Sequence, residues 1–370
     1  MKELLKKLIE AESTESAGEL AAAEVISTEF AKFGIKSEID TWDKTRANIT
    51  AHIKSTGKKP ALLIACHIDV VGPGQAGWNT PPFTAVEKEG KIFGRGSTDM
   101  KGGTASSVAA ICEIIKSGVE LQGDIIFTAV AGEETDSCGA ERFISNRSLI
   151  PKCQGVTIPE PSDFSIVSAH RGILWLEITT KGKAAHGSTP ELGINAINSM
   201  RLFLNELENY DITVKKHDIL GTCSMSVNTI SGGKTQNAVP DKCVCGIDIR
   251  VIPGVKHDDI IGDFTKIFDK LKSNNPEFEA EISIQRQVHS LETDGNSDFA
   301  RELCACLGIE KTVPVGFTTD GPQFVSLGAP VLIFGPGKPE ICHKPDEFIE
   351  ITDLEKAVSD YKKIIMHFLS

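Results

Sequence analysis

Four short apolar runs in this chain each lead to a residue able to bind a divalent cation. Residues 61–66 run into His67, with Asp69 two positions on; 125–130 run into Gly132-Glu133-Glu134; 156–159 run into Glu160; and 331–334 lead through Gly335-Pro336-Gly337 to His343. A fifth donor, Asp99, lies in the glycine-rich stretch 94–103. Imidazole nitrogens and carboxylate oxygens suit Zn²⁺ or a similar borderline cation. Five such donors fit two cations better than one, and the chemistry such a site supplies is hydrolysis by a metal-activated water.

The elements must gather these donors. Apolar runs of this length, rich in branched residues and bounded by Gly or Pro, read as buried parallel strands. In open parallel sheets, ligands lie beyond the carboxyl ends of the strands, so the donors belong along one edge of one sheet. Helices are expected over 21–33, stopped by Gly34, and over 102–116, just after Asp99. From about Gly172 the pattern changes: strand 173–180, helix 192–207, strands 222–230 and 243–251, helix 258–271 and strand 278–285. That order, β-α-β-β-α-β, is ferredoxin-like. The donors lie on both sides of it. The expected fold is therefore α/β, a mostly parallel-sheet domain with helices on both faces built from 1–171 and 287–370, with an inserted α+β domain at 172–286.

Composition bounds the function. A chain of 370 residues with 40% apolar and 24% charged residues is of soluble globular type, with two domains as the prior. No apolar stretch approaches a membrane span, and residues 1–7 mix acids with bases without a signal-peptide core, so a cytoplasmic location is the default. A net charge of −12 argues against nucleic acid or an anionic membrane as partner. Ten cysteines in a chain of this length read mostly as small buried hydrophobes, not as a disulfide scaffold; Cys66 and Cys342 each precede a candidate His donor.

Five motifs occur in order: His67-Ile68-Asp69-Val70-Val71, the stretch from Gly94 to Gly103, Gly132-Glu133-Glu134, Glu160-Pro161 and His343-Lys344-Pro345-Asp346-Glu347. With them the chain resembles the two-metal amidohydrolases that include acetylornithine deacetylase, succinyl-diaminopimelate desuccinylase, aminoacylase and glutamate carboxypeptidases. The resemblance implies that Asp99 bridges two metals, that His67 and Glu160 complete one site, and that Glu134 and His343 complete the other. It makes Glu133 the general base and gives Asp69 the ring N–H of His67. The family usually has Gly-Glu-Pro where this chain has Pro159-Glu160-Pro161.

The inserted domain, by the same resemblance, is a lid through which a homodimer forms. His186, in Ala185-His186-Gly187, would stabilise the tetrahedral oxyanion, often in the partner subunit's site; taken alone it reads as an exposed loop His. Asn237 resembles a substrate-contacting Asn. Arg250 shares a strand face with Asp248, and its fork suits an α-carboxylate or, equally, a salt bridge with that Asp. Thr319 lies in a polar turn that touches substrate in relatives. The implied reaction is cleavage of the amide of an N-acyl amino acid, with acetylornithine or succinyl-diaminopimelate leading, and with two Zn²⁺ (or Co²⁺ or Mn²⁺). A dipeptidase or carboxypeptidase, or an amino-acid-binding protein that keeps metal without turnover, are the alternatives.

Overall fold

The strand Lys59–His67 is buried without interruption from Ala61 to its end. Leu62, Ile64 and Cys66 enter one core cluster, while Leu63 and Ala65, on the opposite face, are equally buried. A sheet covered on both faces demands such continuous apolar strands. In the computed structural model, which describes residues 1–146, 150–212 and 216–370, this strand lies at the centre of a nine-stranded sheet. Gly123–Val130, Lys59–His67, Cys153–Ile158 and Val331–Ile333 are neighbours in that order, all parallel. Antiparallel strands extend the sheet on either side, Arg46–Ile53 and Ser37–Trp42 beyond Gly123–Val130, and Val167–His170 beyond Val331–Ile333. The expected parallel sheet is thus the four-stranded centre of a larger mixed one. Helix Lys101–Ser117 ends at Gly118, whose φ of 71° is left-handed; it packs against the C-terminal helix Ile351–Leu369.

The chain divides into two compact units, Met1–Ala169 with Glu292–Pro314 and Thr319–Ser370, and His170–Leu291 with Val315–Thr318. The second unit carries a four-stranded antiparallel sheet in the order Ser224–Gly232, Lys242–Val251, Gly172–Lys181, Glu279–Val288. Helices Ala196–Leu207 and His257–Asn274 share one core with it, around Phe203, Phe264, Ile247 and Ile249. Connectivity and strand order are ferredoxin-like. Along Lys242–Val251 the burial alternates, with Cys243, Cys245, Ile247, Ile249 and Val251 inward and Asp248 and Arg250 on the other face. The helix expected over 192–207 starts later. Pro190–Leu192 is a separate 3-10 turn, Gly193 is extended, and the Asn195 side chain accepts from the N–H groups of Ile197 and Asn198 to cap the true start. Among the described residues no helix is long and apolar enough to cross a membrane. All ten cysteines are free thiols.

His257 is expected to make the second unit acid-sensitive. It is buried, opens the helix His257–Asn274 and stacks on His289 with ring centroids 4.9 Å apart. Burial and the nearby His289, opposed by Asp258, push its imidazole down to about 4; the positive end of the helix acts in the same sense. Between pH 6.5 and about 4 the unfolded chain binds this proton and the folded chain does not, so stability falls as pH drops through that window. Melting temperatures measured across pH should therefore fall less steeply on the acid side for His257→Gln than for the wild type. Parallel curves would exclude this histidine as a source of the acid sensitivity.

Candidate metal centre

His67 is the last residue of its strand and is almost fully buried. Its Nδ1 lies 3.1 Å from the Asp69 carbonyl oxygen and 3.4 Å from Asp69 Oδ1. That edge of the ring is the natural donor, so Nε2 is the nitrogen turned toward the other acids, where it donates to them when protonated and can bind a cation when it is not. Nε2 faces Asp99 Oδ1 at 3.2 Å and Glu160 Oε1 at 3.5 Å. Asp69 has a second task. Its two carboxylate oxygens accept the backbone N–H groups of Glu133 at 3.2 Å and Glu134 at 3.0 Å, so one acid orients both the imidazole and the turn that carries the two glutamates.

That turn depends on Gly132, at φ +81°, where a Cβ would come within 2.6 Å of Asp136 Oδ1 and 2.8 Å of Arg46 Nη2. The N–H groups of Thr135, Asp136 and Ser137 all return to the Gly132 carbonyl. Glu133 and Glu134 then diverge as adjacent residues must. Glu134 Oε1 meets His343 Nε2 at 3.0 Å, and the same nitrogen lies 3.2 Å from Asp99 Oδ2. Glu160 follows the strand Cys153–Ile158. The helix after Asp99 approaches it closely because residue 103 is Gly; a Cβ there would stand 2.0 Å from the Pro159 carbonyl oxygen.

The five donors therefore form two groups that share Asp99. Within His67, Asp99 and Glu160, and within Asp99, Glu134 and His343, one ligand atom per residue lies within 4.8 Å of the others. The acidities carry the mark of crowded carboxylates. Burial, opposed by His67 and reinforced by Asp99, pushes the Glu160 carboxyl up to about 8. Burial likewise raises Glu133 well above the usual range, with His67 opposing and Glu160, Glu134 and Asp320 reinforcing. Asp99 is held below the ordinary carboxylate range, because hydrogen bonds from His343 and His67 outweigh its burial. His343, hydrogen-bonded to Asp99 and Glu134, is lifted to about 10. Converging acids with two imidazole acceptors are a donor set for two divalent cations, and one carboxylate with two oxygens can serve both.

The remaining candidates belong to neither donor group. Thr319 is buried, and its hydroxyl oxygen accepts the Gly321 N–H. The second unit carries His186, Asn237 and Arg250. His186 is exposed with Nδ1 2.7 Å from the Ser188 hydroxyl, and its segment runs beside that of Asn237, since Gly187 N–H donates to the Asn237 carbonyl. Arg250 pairs with Asp248 at 2.9 Å. Cys66 is buried with its thiol pushed up to about 12 by that burial, which makes it inert. Sequence alone puts Asp320 only in the polar turn around Thr319, and assigns Arg95 and Glu347 no role at all. Asp320 is buried, and burial, opposed by Ser137 and reinforced by Asp69, pushes its carboxyl up to about 7. Arg95 and Glu347 form a buried pair at 2.6 Å under the Asp99 loop. Arg95 and Glu347 lay inside quoted motifs, but residue type alone gave no partner.

Comparison with known proteins matches residues 63–367 to the Peptidase family M20/M25/M40, and the chain belongs to that family. It is a metal-dependent amidohydrolase. It is 31% identical to a probable succinyl-diaminopimelate desuccinylase of Staphylococcus aureus over 99% of this chain and 97% of that protein. An acetylornithine deacetylase of Myxococcus xanthus is 27% identical over 87% of this chain and 84% of that one. Among solved structures, an M20 family metallo-carboxypeptidase from Sulfolobus solfataricus superposes with a TM-score of 0.83 at 20% identity, covering 99% of this chain and 98% of that chain. It shares the fold.

Proposed function

We propose that this hydrolase cleaves the amide bond of N-acyl amino acids, of the succinyl-diaminopimelate and acetylornithine kind, releasing a carboxylate and a free amine. The observation that carries the reading is the Asp99 carboxylate shared between two donor groups, with the buried Glu133 beside them. Full-length similarity to a desuccinylase supports the acyl-amino-acid class. His67, Asp99 and Glu160 would hold one Zn²⁺, and Asp99, Glu134 and His343 a second; when bound, the pair would polarise the scissile carbonyl and acidify water.

Glu133, buried beside the donor groups and belonging to neither, accepts the proton of the attacking water and passes it to the leaving nitrogen. Asp69 keeps the His67 Nδ1–H engaged and fixes the Glu133 backbone. His186 donates to the developing oxyanion, Asn237 and Thr319 contact substrate, and Arg250 exchanges Asp248 for the substrate α-carboxylate. The second unit, 172–286 in its essentials, acts as lid and dimerisation domain. Its edge strand Ser224–Gly232 exposes Val227 and Ile230, a suitable surface for a second copy.

A hydrolysis screen tests the reading. N-succinyl and N-acetyl diamino acids, their α-amides and unblocked dipeptides would each be offered with Zn²⁺, Co²⁺ or Mn²⁺. N-acyl substrates should react, chelation should abolish turnover, and the α-amides should show a raised KM. Preference for unblocked dipeptides would make the protein a dipeptidase, and equal rates on the α-amides would remove Arg250 from the account.

A further inference from the structure

Glu347 lies four residues beyond His343, and its side chain is fully buried. It accepts four hydrogen bonds. Oε2 takes Arg95 Nη1 at 2.6 Å and the Gly96 N–H at 3.1 Å. Oε1 takes the N–H groups of Thr98 at 2.9 Å and Asp99 at 3.1 Å. The Glu347 carbonyl oxygen accepts the Gly94 N–H at 2.9 Å. Successive backbone N–H groups of the 94–99 loop thus form an anion-binding nest, and its occupant is a side chain of the same protein.

Arg95 completes the arrangement. Its guanidinium also reaches the Lys344 and Gly72 carbonyl oxygens at 3.4 Å and stacks 4.9 Å from the Trp78 ring centre. Asp346, next to Glu347, accepts the N–H groups of Asn79 at 2.8 Å and Thr80 at 3.0 Å. Phe348, on the other side, pairs with Phe93 in a small antiparallel sheet, so the segment 343–348 is tied down on both sides of Glu347.

We infer that Glu347, seated by Arg95, is a positioning residue that fixes Asp99 against His343 and so sets the geometry of the paired cation sites. The donor Asp99 is bonded through its own backbone N–H to the segment that carries the donor His343. Displacing either side would move one oxygen of the shared carboxylate relative to the imidazole. An ionised carboxylate is required, because four donors converge on two oxygens; an amide at this position would turn N–H against N–H. The inference rests on the proposed metal assignment.

The test is a calorimetric titration of metal-free protein with Co²⁺, alongside kcat, KM and the melting temperature of the metal-free form. Two cations bound by the wild type would uphold the metal assignment itself; any other stoichiometry would refute that assignment independently of Glu347. Glu347→Gln should then bind Co²⁺ on the order of 10- to 100-fold more weakly, the usual cost of disturbing a residue that orients a ligand, and should lose kcat with KM little changed. Arg95→Lys keeps the charge and the three backbone N–H groups donated to the Glu347 carboxylate but loses the fork, so it should show the same effects in smaller degree. It decides the matter if the Gln variant fails to fold. A folded variant with lowered melting temperature but wild-type Co²⁺ affinity and kcat would overturn the inference, reducing the pair to a structural contact.

Discussion

Glu133→Gln is expected to lower kcat by at least about 10²–10⁴-fold while leaving the metal content unchanged. Glu133 belongs to neither of the two donor groups, so its neutral isostere removes no ligand. The backbone at 133 is held by Asp69 through the peptide N–H, not through the side chain, so the turn should survive. In the proposed mechanism the substitution deletes the proton acceptor alone. Metal analysis and kcat on the same preparation check this. The neighbouring Glu134→Gln should do the reverse, because Glu134 faces His343 at 3.0 Å within the second group. If the Glu133 variant lost metal and the Glu134 variant kept it, the two assignments would exchange.

Asp99→Asn should be more severe. Asp99 is the one residue common to both groups, with Oδ1 toward His67 and Oδ2 toward His343. An amide offers one oxygen and turns an N–H₂ toward the other site, and it leaves four negative or neutral donors to share two dications. Both cations should bind far more weakly, with activity at background. The variant also serves to test the origin of the oxyanion donor. Mixed with His186→Ala under conditions of shown subunit exchange, it should recover activity if each site takes His186 from the other subunit, because a mixed dimer then contains one site with both parts intact. Absence of recovery would assign His186 to its own chain's site, or to none.

The candidate donors were legible because His67, Glu134 and Glu160 closely follow apolar runs and Asp99 lies in a glycine-rich loop. Position along a buried strand is a periodic property, so His67 and Glu160 could be placed from local sequence alone. The same holds for the ferredoxin-like unit, where the alternation from Cys243 to Val251 repeats in the structure residue by residue. What stayed hidden is contact between side chains and distant backbone. Nothing local to Glu347 indicates that its acceptors are the N–H groups of Gly96, Thr98 and Asp99, roughly 250 positions away. Asp69 was expected to orient an imidazole; that it also holds the Glu133-Glu134 turn needs the three-dimensional arrangement. Strands of three residues such as Val86–Lys88, Lys91–Phe93 and Phe348–Glu350 are too short for any period to register, so the small sheet they form was not foreseen. The late start of the helix at Ala196 follows from a cap at Asn195 that competes with an otherwise continuous apolar stripe.

The most direct test of a two-cation centre built around Asp99 is a crystal of the zinc-loaded protein measured at the zinc absorption edge. Two anomalous peaks are expected per chain, one bounded by His67, Asp99 and Glu160 and the other by Asp99, Glu134 and His343, with the Asp99 carboxylate between them. A single peak, or a pair in which Asp99 touches only one cation, would contradict the account.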